Sequence, residues 1–301
     1  VTITEPSLDQ AYAYCRQLAK SHYENFPVAS LLLPKRLRQP ISVIYAFARN
    51  ADDFADEGNA PPAQRLDQLN HYSAALRQVG QHLYTGQNPV FIALADVIDR
   101  FNLPIQLFED LLIAFRQDVL KSRYADFDEV LDYCRFSANP VGRLLLHLDG
   151  VPTAQQLVQS DAICSALQLI NFYQDIEQDF FEQDRVYIPL DMLADNGLEP
   201  ASLAKPDSSQ LAPVLRRLYQ RTAELMSQGH ELGTTLHGRL GWEVRAMTLG
   251  GVVTLSRLMQ QRDDQLLTRP RLTKITLSRI MLASFNKQYY LTSCQRWLTG
   301  Q

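Results

Sequence analysis

Apolar residues recur at every third or fourth position along almost the whole 301-residue chain, and strict alternation of apolar with polar residues is nearly absent. A stripe with the helical period cannot be laid onto a sheet, so the chain is restricted to helices that each bury one face. The periodicity predicts helices at roughly 7–22, 41–57, 61–84, 88–101, 104–121, 126–148, 153–182, 210–236, 239–266 and 273–298. Pro40 and Pro104 suit the first position of two of them. Gly58 with Pro61 and Pro62, Gly150 with Pro152, Gly197 with Pro200, and Arg269-Pro270 punctuate the rest. None of these breaks is a flexible linker, and no segment is of low complexity. The expectation is one all-α domain over residues 1–301, whose 46% hydrophobic content suffices for a large core.

Two of these helices carry acidic columns. In Gln168-Leu-Ile-Asn171-Phe-Tyr-Gln174-Asp175-Ile-Glu-Gln-Asp179, the residues Asn171, Asp175 and Asp179 fall on one helical face, with Gln168 one turn before them. Carboxylates one turn apart repel each other, so the spacing offers the fold no gain unless a cation sits between them. Hard ions such as Mg²⁺ take oxygen ligands and leave positions for water or phosphate oxygens. A solvated polar face carries the same spacing. The second column is in Arg49-Asn-Ala-Asp52-Asp53-Phe-Ala-Asp56-Glu57, where Asp52 and Asp56 are one turn apart. Both helices are otherwise largely apolar, the first with Ile41, Ile44, Tyr45, Ala48 and Ala55, the second with Leu157, Ile163, Ala166, Leu167, Ile170 and Phe172. Carboxylates on such interior helices are rare unless paired or metal-bound. Two facing carboxylate walls bridged by several Mg²⁺ ions would hold a diphosphate, with Arg49 and Arg185 as bidentate donors to its oxygens.

Other chemistries find no support. A net charge of −4 argues against nucleic acid as a partner, since a phosphate-backbone binder shows a basic stripe. Cys15, Cys134, Cys164 and Cys294 form no C-x-x-C pair, and the histidines form no H-x-x-x-H pair. There is no nucleophile elbow, P-loop or G-x-G-x-x-G. No run of about 18 apolar residues appears, and Val1-Thr-Ile-Thr-Glu lacks the regions of a signal peptide, so a cytoplasmic protein that does not span a membrane is expected.

The motif pair D-D-x-x-D-E after Arg49, and Q-x-x-N-x-x-Q-D-x-x-x-D followed by Arg185-Val-Tyr187-Ile-Pro189, resembles the squalene/phytoene synthase family of head-to-head prenyl diphosphate synthases. A third match, Tyr133-Cys134-Arg-Phe-Ser-Ala-Asn139-Pro140-Val-Gly142, lies between them, and the likeness runs from His22 to about Arg279. The resemblance implies a helical isoprenoid synthase bundle around a central cavity. It implies metal ligands at Asp52, Asp56, Asn171, Asp175 and Asp179, and substrate contacts at His22, Arg49, Asn171, Arg185 and Tyr187. Tyr133, Tyr45 and Gln168 match positions near the reacting carbons and the hydrocarbon chain. Each also has a plainer role open to it: a buried tyrosine is more often core with a satisfied hydroxyl, and a lone histidine is more often structural. Asp118 of Arg116-Gln-Asp118 would be polar lining, with a solvated turn as its plainer role.

The departures bear on which reaction of the family is run. Gln174 stands where the family has Arg, Gln178 where it has Glu, and Ala138-Asn139-Pro140 where it has Val-Ala-Gly. With them the chain is most similar to the bacterial hydroxysqualene synthases of hopanoid pathways, which implies presqualene diphosphate as substrate, Mg²⁺ as cofactor and no NADPH. Asn139 would help position the water that becomes the hydroxyl. The greasy product leaves room for peripheral contact with the inner membrane and for association with other enzymes of the pathway. Head-to-head condensation of two prenyl diphosphates, to presqualene diphosphate, dehydrosqualene or phytoene, stays open, as does a metal- or lipid-binding helical protein without catalysis.

Overall fold

The computed structural model describes residues 6–21, 33–56 and 60–299. Among them, helices form where the apolar spacing places them, and the only strand-like pairing is an isolated parallel bridge between Arg123 and Val186. In chain order the helices are α1 (Leu8–Ser21), α2 (Lys35–Asp56), α3 (Pro62–Gly80), α4 (Pro89–Phe101), α5 (Ile105–Leu120), α6 (Phe127–Ser137), α7 (Asn139–Asp149), α8 (Ala154–Gln174) and α9 (Ile176–Gln183). They continue with α10 (Leu190–Ala194), α11 (Ser208–Gly229), α12 (Leu232–Thr235), α13 (Gly238–Met259), α14 (Lys274–Phe285) and α15 (Lys287–Thr299). No described helix is long and apolar enough to cross a membrane.

Four predicted helices are divided. The span 126–148 breaks at Ala138, 153–182 at Asp175, 210–236 after Gly229 and 273–298 at Asn286. The helix predicted from 41 begins at Lys35, so Pro40 lies inside it rather than at its first position. Pro34 is the true start signal, its carbonyl accepting from Leu37 N–H at 2.9 Å. A proline in the second turn removes a single backbone bond, and nearby the Ser42 hydroxyl donates to Gln39 C=O at 2.7 Å.

The chain forms two compact units. The first, residues 1–120 and 140–152, packs α1 to α5 with α7. Its centre is aromatic: the Phe47 ring stacks on Tyr72 at 5.1 Å and meets Phe108 edge-on at 5.3 Å. Arg36, at the start of α2, pairs with Asp149 and donates to Leu148 C=O at 3.3 Å, tying α7 along α2.

The second unit, residues 121–139 and 153–301, is built around α8, with α11 and α13 laid against it. Both approach at glycines. A Cβ at Gly229 would stand 2.6 Å from the Gln159 carbonyl, and one at Gly251 would stand 2.4 Å from the Leu167 side chain. At Gly229 the atom met is main chain, so only a residue without a side chain allows helices this close, whereas at Gly251 the Leu167 side chain would have to shift.

Candidate active site

The predicted residues divide between the units. Tyr45, Arg49, Asp52 and Asp56 belong to the first, and Tyr133, Asn139, Gln168, Asn171, Asp175, Asp179, Arg185 and Tyr187 to the second. His22 lies outside the described residues, as does Glu57.

In the first unit all four sit on α2, and the order of groups along that helix is its main feature. Ile41, Ile44, Tyr45 and Ala48 face Val141, Leu145 and Leu148 of α7 across an apolar slot of about 210 Å³. Burial pushes the Tyr45 phenol up, against the opposing pull of Arg49. One turn further on, Arg49 forks: Nη1 donates to Asp52 Oδ2 at 3.0 Å, and Nη2 stands 2.6 Å from Asp53 Oδ1. Asp53 was not among the predicted residues, although its place four residues after Arg49 is a signal for this pair. Asp52 and Asp53 are half-buried and Asp56 is exposed on the last turn. The guanidinium neutralises part of a cluster that would otherwise repel itself.

In the second unit the column survives a break in its helix. Asp175 ends α8 at φ −112° and ψ 14°, yet its N–H reaches Asn171 C=O at 3.0 Å and Asp179 N–H reaches Asp175 C=O at 2.8 Å. The ladder therefore bends without losing register, and Asp175 and Asp179 stay on one side. After α9, Asp184 adopts a left-handed φ of 51°, which aspartate tolerates better than most residues. That turn brings the chain back, and Arg185 N–H donates to Asp179 C=O at 3.0 Å. The following segment is pinned to 122–125: Val186 N–H donates to Ser122 C=O at 2.9 Å and Leu190 N–H to Tyr124 C=O at 2.9 Å.

Electrostatically this column is under strain that a cation would relieve. Burial, then the neighbouring Asp175 carboxylate, push Asp179 up to about 7, with Arg185 opposing. Burial also raises Asp175, against Arg269. Arg269 Nε lies 3.2 Å from Asp175 Oδ1 but off the line of a hydrogen bond, so this buried oxygen has an ionic neighbour and no donor. Arg269 was not predicted, because nothing in the local pattern links it to a residue so distant in the chain. Gln174, the departure from the family arginine, donates from Nε2 to Pro270 C=O at 3.2 Å and so holds the Arg269 segment against the bend. A cavity of about 580 Å³ opens there, lined by Gln174, Asp175, Asp263, Asp264 and Arg269 among others.

Among the described residues no three His, Cys, Asp or Glu side chains form a ready-made metal cage. The donors nevertheless suit Mg²⁺, which prefers oxygen ligands, keeps waters and is commonly completed by substrate phosphates rather than by protein alone. In the α8–α9 column, Asp175 with its undonated buried oxygen and Asp179 with its raised pKa are the groups such an ion would neutralise.

The raised Asp179 has a measurable consequence in metal-free protein. Its folded pKa lies above the unfolded value, so between about 4 and 7 the folded state holds the proton more tightly and stability falls as pH rises through that window. Asp179→Asn removes this loss. The melting temperature in EDTA is expected to rise on substitution at pH 8 and to change little at pH 4; an equal change at both would show that the carboxylate is not destabilised by its surroundings.

Beside the column lies an aromatic cluster. Phe172 and Tyr187 stack face to face at 3.6 Å, and Tyr133 stands 6.1 Å from Phe172 and 5.8 Å from Tyr187. Tyr124, not singled out in the sequence, completes it at 5.4 Å from Tyr187. Asn139 is buried, and its amide oxygen accepts from the Ser165 hydroxyl at 2.9 Å, which leaves the amide nitrogen as its remaining polar group. Gln168 is half-buried on α8 and Asn171 is exposed one turn before Asp175.

Comparison with known proteins gives a consistent result. The family model described as squalene/phytoene synthase matches residues 19–279. Hydroxysqualene synthase of Sinorhizobium fredii is 37% identical over 82% of this chain and 83% of its own length. Hydroxysqualene synthase of Rhodopseudomonas palustris is 38% identical over 80% of each chain. Among solved structures, squalene synthase HpnC from Alicyclobacillus acidocaldarius superposes with a TM-score of 0.76 at 32% identity, covering 87% of this chain and 97% of that one.

Proposed function

The chain belongs to the squalene/phytoene synthase family, enzymes of isoprenoid biosynthesis, and from that premise we propose that it acts on a prenyl diphosphate, converting presqualene diphosphate and water to hydroxysqualene and diphosphate. The observation that carries this reading is the sequence of groups on α2, an apolar slot followed within one turn by Arg49 and its aspartates. That order suits a molecule with a hydrocarbon body and an anionic head. The hydroxysqualene synthases at 37% and 38% identity favour this member of the family's reactions.

Each acidic column is proposed as a ligand set for Mg²⁺ bound with the substrate: Asp52 and Asp56 on α2, and Asn171, Asp175 and Asp179 along α8 and α9. The metal would supply positive charge against the departing diphosphate. Arg49 and Arg185 would add bidentate donors to its oxygens, Arg49 keeping the aspartates aligned until the substrate arrives. The C–O bond to diphosphate breaks, and the electron pair leaves with it. Tyr133, Phe172 and Tyr187 provide a water-poor aromatic wall whose quadrupoles stabilise a cation by about 2 kcal/mol where it is desolvated. Capture by one water then forms the new C–O bond, and the water gives up a proton. Charge balances without a hydride donor, so NADPH has no part in the proposal.

The test supplies farnesyl diphosphate and presqualene diphosphate separately, each with Mg²⁺ and without NADPH. Turnover of presqualene diphosphate alone, to an alcohol, is expected. Efficient conversion of farnesyl diphosphate would replace the reading with head-to-head condensation, and a carrier would turn over neither.

A further inference from the structure

The outward face of α14, like its inward one, carries large apolar side chains. On the inward side Ile280, Ala283 and Ser284 are buried, and the helix is mounted firmly on α13. Arg245 Nε donates to Ser284 C=O at 2.6 Å, Trp242 Nε1 to Ser284 Oγ at 2.9 Å, and Arg257 Nη2 to Thr276 Oγ1 at 2.9 Å. On the outward side Ile275 is 68% exposed, Leu282 76% and Phe285 69%, and Tyr289 follows at the start of α15 with 60% exposure. At 100° per residue, Ile275, Leu282 and Phe285 share one side of α14 with Lys274 and Arg279. Exposed large side chains grouped on a rigid support, unlike scattered ones, mark a surface that is covered in use.

Charge identifies the cover. Residues 265–301 contain six basic residues, Arg269, Arg271, Lys274, Arg279, Lys287 and Arg296, and no acidic one, leaving 23 basic against 33 acidic residues in the rest of the chain. A second copy presenting the same face would repel the first. Nucleic acid would engage the cations and leave Ile275 and Leu282 in water. We propose that the face of α14 bearing Ile275, Leu282 and Phe285, edged by Lys274 and Arg279, docks on an anionic lipid surface. The aliphatic and aromatic side chains enter the boundary between headgroups and acyl chains, and the long basic side chains reach the headgroup phosphates. This is a separate property from the reaction, since none of these residues lies in the acidic columns, the apolar slot or the aromatic cluster.

The full chain is tested by co-sedimentation with vesicles of phosphatidylcholine alone and of phosphatidylcholine mixed with phosphatidylglycerol. Binding to the anionic vesicles only, weakened by salt, is expected. The surface double variants Ile275→Glu/Leu282→Glu and Lys274→Glu/Arg279→Glu should each lower partitioning by at least about tenfold, with unchanged circular dichroism and unchanged turnover of detergent-dispersed substrate. Three results would overturn the proposal: no preference for anionic vesicles, partitioning indifferent to the apolar pair, or light scattering showing a wild-type dimer that the apolar pair dissociates.

Discussion

Asp175→Asn is expected to leave the protein folded and to lower turnover by roughly a hundred- to a thousandfold, the size of effect seen when one electrostatic contact to a developing charge is removed. Asparagine preserves the shape at the bend between α8 and α9, where the backbone bonds to Asn171 and from Asp179 are made by main-chain atoms and do not depend on the side chain. It removes a carboxylate that burial already penalises and that raises its neighbour Asp179, so the metal-free protein should melt no lower than the parent at neutral pH. Asp52→Asn should behave alike in activity, with a small cost to the fold because Arg49 Nη1 donates to that carboxylate. Circular dichroism and steady-state turnover against Mg²⁺ concentration separate the two effects. EDTA should reproduce the loss in the unmodified protein and added Mg²⁺ should reverse it. Undiminished turnover in chelator would remove the metal from the proposal and leave the acidic columns without a role.

The second large effect concerns the origin of one oxygen atom. With presqualene diphosphate in water enriched in heavy oxygen, essentially all of the alcohol should carry the label, because the cation is trapped by solvent and the oxygen of the broken bond departs with diphosphate. NADPH should change neither rate nor product. An unlabelled alcohol would mean that the original C–O bond survives and that phosphate is cleaved instead, a different reaction. Tyr133→Phe keeps the ring in contact with Phe172 and Tyr187 while deleting the hydroxyl. It should shift part of the product to olefins formed by proton loss if that hydroxyl serves water capture, and should change nothing if Tyr133 is only a wall.

Much of this was legible beforehand because helical information is local. The 3.6-residue period, the punctuating Gly and Pro, and carboxylates one turn apart are relations within a few residues of each other, so the all-α class, both acidic columns and Arg49 could be read directly. The breaks at Ala138 and Asp175 were not, since the apolar period runs through them. A backbone bend costs little when the flanking bonds are kept, as they are at Asp175. The helix start at Lys35 was missed because Pro40 is a strong start signal locally and is tolerated inside a helix that packing already holds.

What the sequence by itself determined is which residue types share a helical face and which ligand chemistry they suit. Tertiary structure alone decided what those faces meet. α7 closes the apolar slot against α2, Arg269 reaches Asp175, and Phe172, Tyr187, Tyr133 and Tyr124 gather into one wall. Asn139, read as a residue for water, also has its amide oxygen committed to Ser165. These partners lie tens of residues apart, and no local period encodes them. They follow from the packing of apolar faces, which is set by the shape of the whole core, including close approaches such as those at Gly229 and Gly251. The raised pKa of Asp179 belongs to the same class: its spacing from Asp175 is in the chain, but the burial that makes their repulsion costly exists only once the surrounding helices are in place.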